Sequence, residues 1–146
     1  AETVVINDGY EVAELGPDGA PTGKTRREGR YAGRFDRIYH YLPDRGQRAI
    51  RVVGDIKTGR MDYGYAKVEQ QVAMYADGVE YDLETHERRP LRVNKKIGLL
   101  VHLPQGEGTC TIHVLDLDRG RRGNKLSAMV REWRRETGNL KPDAAL

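Results

Sequence analysis

Cysteine occurs once in the 146 residues, as Cys110. A lone thiol closes no internal disulfide and supplies no multi-cysteine metal site. Its place in the apolar stretch Thr109 to Leu117 predicts a small buried hydrophobe. Long apolar runs are missing as well. Nothing approaches the length of a membrane span, and no secretory signal pattern opens the chain. A reducing, cytoplasmic setting fits these absences, and no membrane partner is expected. Histidine is sparse and scattered (His40, His86, His102, His113), and none of the four stands at metal-ligand spacing, so a zinc- or histidine-based hydrolase is not supported. His102 and His113 lie in apolar strands and read as hydrogen-bonded structural residues. Gly106-Glu107-Gly108 is a turn. No Lys-Ser/Thr follows it, so there is no phosphate loop of that kind.

What is present is charge. Asp, Glu, Lys and Arg make up 32% of the residues, and the length suits one domain with a real core. The net charge of +3 is mild, but basic residues crowd Lys24 to Arg30, Arg88 to Lys96 and Arg119 to Arg135. Arginine dominates, and its planar fork gives phosphate two parallel hydrogen bonds. A solvated arginine-rich surface accounts for the same composition, and both readings stay open.

Periodicity divides the chain. Thr3 to Ile6 and Tyr10 to Leu15 read as strands joined by a hairpin turn at Asn7-Asp8-Gly9. Gly16 to Gly29 reads as a loop. Arg30 to Leu42 has the composition of one strand, and Pro43 to Gly46 turns the chain into a second, Ala49 to Lys57. Asp36 and Asp55 therefore fall on neighbouring antiparallel strands. Thr58-Gly59-Arg60 ends the second strand. Tyr63 to Val79 shows helical spacing, with Val68, Val72, Tyr75 and Val79 on one face. Tyr81 to Pro90 reads as a connection. Ile97 to Leu103 is a buried strand, and Thr109 to Leu117 another. Asn124 is placed to cap a last helix whose apolar stripe is Leu126, Met129, Val130 and Trp133, with Gly138 as its stop and Lys141 to Leu146 as a frayed tail. The order predicts an α/β or α+β domain, a mixed sheet flanked by helices.

The chemistry concentrates in Asp55-Ile56-Lys57. Side chains alternate along a strand, so Asp55 and Lys57 share one side while Ile56 faces the other. A carboxylate, the Ile56 carbonyl and water are the hard oxygen ligands that magnesium takes, and Asp36 would add a second carboxylate. Such a metal acidifies its water and offsets phosphate charge, and Lys57 can steady the attacking water or the charge that develops. The triplet alone is weak, because a chain this rich in acids and lysine carries an acid-any-lysine triplet roughly once by chance. Taken alone, the triplet is better explained as a strand-end surface ion pair.

Context shifts that balance. Gly33-Arg34-Phe35-Asp36, then Asp55-Ile56-Lys57-Thr58-Gly59, then Gln71 with Tyr75 one helical turn later, resembles the PD-(D/E)XK nuclease superfamily. More narrowly, it resembles the RecB-like exonuclease branch that includes CRISPR-associated and phage recombination nucleases. The resemblance covers Gly33 to Tyr75 in the family's order. It implies a restriction-endonuclease-like mixed sheet. It also implies Mg²⁺ or Mn²⁺ held by Asp36, Asp55 and the Ile56 carbonyl, Lys57 as the catalytic lysine, and Gln71 and Tyr75 facing the site. For Tyr75, plain core packing on the Val68 and Val72 face stays open. Gln71, a polar residue beside that face, needs a partner.

Two departures stand out. The family carries another acid or histidine on an earlier helix, yet residues 1–30 show no such helix and no histidine, and Glu2, Glu11 and Glu14 sit in strand- or loop-like surroundings. The chain opens on Ala1, so either it is a fragment of a longer protein or one ligand is missing. Iron–sulfur members need a cysteine set that Cys110 cannot supply, so no iron–sulfur cluster is expected. Two functions follow. One is a metal-dependent deoxyribonuclease, an exonuclease by resemblance, with DNA held by arginines such as Arg60 and those of Arg119 to Arg135. The other is a catalytically inactive nuclease-fold module that binds DNA or serves a structural role beside a protein partner in a phage or recombination assembly.

Overall fold

The computed structural model describes residues 3–62 and 64–138. The chain is α+β. Three sheets and two helices are built from β1 (Thr3–Asn7), β2 (Tyr10–Leu15), β3 (Pro21–Glu28), β4 (Tyr31–Phe35), β5 (Arg37–Tyr41) and β6 (Ile50–Lys57), followed by α1 (Tyr65–Asp77), β7 (Val79–Tyr81), β8 (Arg88–Pro90), β9 (Ile97–His102), β10 (Thr111–Asp116) and α2 (Leu117–Thr137).

The central sheet runs β10-β9-β6-β5 and is mixed. β5 and β6 form the expected antiparallel hairpin, β6 and β9 pair in parallel, and β9 and β10 are antiparallel. A parallel pair needs a long crossover, and α1 supplies it. Val53 on β6 and Leu100 on β9 meet Val68, Val72, Ala73 and Tyr75 of α1 in one buried cluster, joined by Phe35, Leu115 and Leu117. This is the half-buried helix face that the spacing predicts.

Several expectations need correction. β1 and β2 exist but do not pair with each other. β1 lies between β4 and β7, and β2 pairs with β3. The bend between them is anchored elsewhere: Asn7 accepts the Gly9 amide at 2.9 Å and donates to the Met74 carbonyl of α1 at 3.0 Å. The stretch 16–29 holds a strand, β3, whose polar residues give no alternation to read. Residues 30–42 are two strands rather than one. β4 belongs to the β4-β1-β7-β8 sheet and β5 to the central sheet, and the break falls at Asp36. The first helix stops at Asp77, where Gly78 leaves helical geometry at ψ 177, so Val79 opens β7. Residue 63, its expected first position, lies outside the described residues. The 81–90 connection contains β8, which closes a short hairpin with β7.

α2 departs most. It starts at Leu117, seven residues before Asn124, and its cap is Asp116, whose side chain accepts the Arg119 amide. Asn124 lies inside the helix on its buried face, with Leu117, Gly120, Ala128 and Glu132. The expected apolar stripe faces out: Leu126 is 63% exposed and Trp133 53%. Gly138 does end the helix. Cys110 is exposed in the β9–β10 connection, not buried. The tail Lys141 to Leu146 lies outside the described residues. No helix among the described residues is long and apolar enough to cross a membrane.

Candidate functional site

The site forms where the two larger sheets meet. The β5–β6 register pairs Arg37 with Gly54. Asp36 stands just before that pair on one side and Asp55 just after it on the other, and both charges act on the Tyr39 phenol. Asp36 is thus the point at which the chain leaves one sheet and enters the next beside β6. Asp55 and Lys57 share the face of β6 that carries Val53 onto α1, so they emerge at the end of the apolar cluster, beneath the first turns of that helix.

Local glycines make room for the arrangement. A Cβ at Gly33 would overlap the Tyr31 ring, and one at Gly54 would overlap the Tyr39 ring. Gly33 therefore lets Tyr31 fold back along its own strand toward Tyr75. Gly54 lets Tyr39 lie flat against β6 beside the two acids.

A row of polar contacts runs from strand to helix. Lys57 Nζ lies 2.8 Å from Asp55 Oδ2. The same ammonium donates to Gln71 Oε1 at 3.4 Å. Gln71 Nε2 donates to Tyr75 Oη at 2.9 Å, and the Tyr31 hydroxyl donates to the same oxygen at 3.1 Å. The amide orientation is fixed by chemistry. An ammonium only donates, so the glutamine must turn its carbonyl to Lys57 and its NH₂ to Tyr75. Tyr75 is buried, packs against Phe35 with ring centroids 5.6 Å apart, and meets Tyr31 edge-on at the same distance. Its ring belongs to the core, and its hydroxyl takes part in the polar row.

Sequence reasoning passed over Tyr31 and Tyr39. Burial, then the hydrogen bond and charge of Tyr75, push the Tyr31 phenol up to about 12. Burial also raises Tyr39; Arg37 opposes this, while the charges of Asp36 and Asp55 reinforce it. Tyr39 thus feels both carboxylates. The spacing of Tyr31 two residues before Gly33 is the one signal that could have singled it out.

The oxygen set can be tested for a divalent cation. Asp55 Oδ2 is buried, and among the described residues the Lys57 ammonium is the one group found against it. Such an atom retains capacity for a cation. Carbonyls alternate along a strand. That of Lys57 points to the β9 side, where it accepts the Leu103 amide at 2.8 Å. That of Ile56 therefore points to the β5 side, where Asp36 stands. Two carboxylates and one carbonyl suit magnesium, which keeps several waters. Among the described residues, no group of three or more His, Cys, Asp or Glu side chains gathers to hold a metal. Glu11 and Glu14 do not complete the set. They lie on the β2–β3 hairpin, against Thr25 and Thr22. Glu2 lies outside the described residues.

A groove of about 530 Å³ opens next to the strand end, lined by Thr58, Gly59, Arg60, Met61, His102 and Gln105, among others. His102 is structural, its Nε2 2.8 Å from the Gly59 carbonyl. His113 packs edge-on against Tyr65. The basic block on α2 is not uniformly free. Glu69 holds Arg119, Asp77 and Asp118 hold Arg121, and Arg135 meets Glu28, Glu132 and Glu136. Arg60 meets Asp62 at 3.0 Å.

Compared with family models, curated proteins and solved structures, the chain matches none closely enough to carry an argument.

Proposed function

We propose that the chain hydrolyses phosphodiester bonds in DNA with a bound Mg²⁺ or Mn²⁺, as an exonuclease of the PD-(D/E)XK kind. The observation that supports the reading is the contact of Asp55 with Lys57 at the end of β6, with Lys57 steadied from α1 by Gln71 and Asp36 just before the neighbouring strand β5. Asp36, Asp55 and the Ile56 carbonyl would hold the cation, which when bound acidifies water and offsets charge on the phosphate. The rest falls to the protein's own groups. Lys57 presents an ammonium to the attacking water or the developing negative charge. Gln71 keeps that ammonium from swinging into solvent, and Tyr75 fixes Gln71. Arginines that form no ion pair among the described residues, such as Arg122 and Arg134, would hold the strand through its phosphates.

The test compares wild type with Lys57→Ala on end-labelled DNA, with Mg²⁺, with Mn²⁺ and with EDTA. The proposal expects metal-dependent release of nucleotides by the wild type and about 10²–10³-fold slower release by the variant. Equal degradation by both sinks it.

One observation favours a second reading. The described residues bring two acids to this place rather than three. An inactive module that binds DNA, alone or beside a protein partner, expects DNA retention with no cleavage even in Mn²⁺.

A further inference from the structure

Between α2, the β3–β4 turn and α1 lies a pocket of about 120 Å³, whose walls include Tyr10, Arg30, Tyr31, Met74, Ala128 and Arg131. Its floor is aromatic and apolar. The neutral polar groups around it are already committed. Asn124 donates to Tyr10 Oη at 3.1 Å and to the Gln70 carbonyl at 2.9 Å, and Ser127 Oγ donates to the Gly123 carbonyl at 3.0 Å. The Tyr31 hydroxyl goes to Tyr75. Among the described residues, no carboxylate lines the pocket.

What remains is two guanidinium groups. Arg119, Arg121 and Arg135 on the same helix are each held by acids. Arg30 and Arg131 meet no carboxylate among the described residues. Two arginines lining one cavity, with no carboxylate beside them among the described residues, create a positive potential that favours an anion. The guanidinium fork matches the oxygens of phosphate. The cavity has room for roughly four waters, which suits a phosphate group and not a whole nucleoside.

We infer that the Arg30–Arg131 pocket binds a phosphate group. Its place gives the occupant a consequence. Met74 on its wall stands three residues beyond Gln71 on α1, a rise of about 4.5 Å. Tyr31 lines the pocket and also ends the polar row that leads through Tyr75 and Gln71 to Lys57. The phosphate is either free or part of a DNA strand that passes on to Lys57. The first source is independent of the nuclease reading, and the second rests on it.

Inorganic phosphate, titrated calorimetrically into wild type, Arg30→Ala/Arg131→Ala and Asp55→Asn, separates these cases, together with metal-free binding of a short oligothymidine. Both arginines are exposed, so the double variant should melt with the wild type. The inference expects saturable phosphate binding in wild type and in Asp55→Asn, weakened at least tenfold in the double variant. A tenfold loss of oligothymidine affinity in the double variant assigns the pocket to strand phosphate, and an unchanged affinity assigns it to the free ion. Equal affinities of wild type and double variant for both ligands overturn it. Phosphate binding that survives in a protein unable to cut DNA upholds the pocket while the nuclease reading fails.

Discussion

α1 and α2 lie against each other, yet they are held in opposite ways. α1 buries Val68, Val72, Ala73, Tyr75 and Ala76 against β1, β4, β6 and β9, so apolar burial fixes its orientation. Apart from Leu117 at its start, α2 turns its larger apolar residues to solvent and buries Gly120, Asn124, Ala128 and Glu132. Gly120 lets the two helix backbones touch, since a Cβ there would overlap the Glu69 carbonyl. Asn124 then bonds Gln70, and Glu132 accepts the Leu15 amide at 3.3 Å beside Arg26 and Arg135. An amphipathic stripe thus says which face could be buried. Close approach and polar pairing decide which face is. The polar row of Gln71 and Tyr75 sits on the helix held by the core, where side-chain positions are most tightly set.

That contrast can be broken at its strongest point first. Gly120→Leu forces the helix backbones apart and should lower stability by about 3 kcal/mol, read as a fall in the urea midpoint. Better helix propensity than glycine recovers only about 1 kcal/mol of this. A midpoint unchanged from wild type would mean that the close approach is not what seats α2. Val72→Ala on α1 and Val130→Ala on α2 make the paired test. The first should cost about 2 kcal/mol, the second less than about 0.5 kcal/mol. Similar losses from the two would erase the distinction between the helices.

The smallest effect is alkaline. Tyr31 has a folded-state pKa of about 12 against an ordinary 10.0, raised first by burial and then by Tyr75. The unfolded chain releases this proton first, so its contribution is fully present below pH 10 and is lost as pH rises toward 12. Tyr31→Phe should flatten the decline of stability across that window. An identical slope in wild type and variant would remove Tyr31 from the buried row.

Much of the site's surroundings was legible because it depends on local pattern. β6, α1, β9 and β10 announce themselves by alternation, an apolar run or helical spacing, and the antiparallel pairing of the strand before Pro43 with β6 follows from the turn at Pro43 to Gly46. The long-range choices were not legible. The Asn7-Asp8-Gly9 bend carries a hairpin signal, but Asn7 ties it to Met74, so β1 joins β4 instead of β2. β3 is a strand because β2 and α2 hold it, although Pro21 to Glu28 contains no apolar residue after its proline. The start of α2 was hidden because β10 runs into Leu117 with no turn between them. Tyr31 and Tyr39 looked like ordinary strand aromatics until Gly33 and Gly54 were seen to admit their rings.

The most direct test of the account is single-turnover hydrolysis of labelled DNA by Asp55→Asn beside the wild type, over a Mg²⁺ titration. An amide in place of the carboxylate keeps the shape of the strand end and removes the buried charge that faces Lys57. Metal-dependent cleavage by the wild type is expected, slower by about 10²-fold or more in the variant, with folding and DNA retention intact. Cleavage at the wild-type rate by Asp55→Asn, or none by the wild type in any metal, would contradict it.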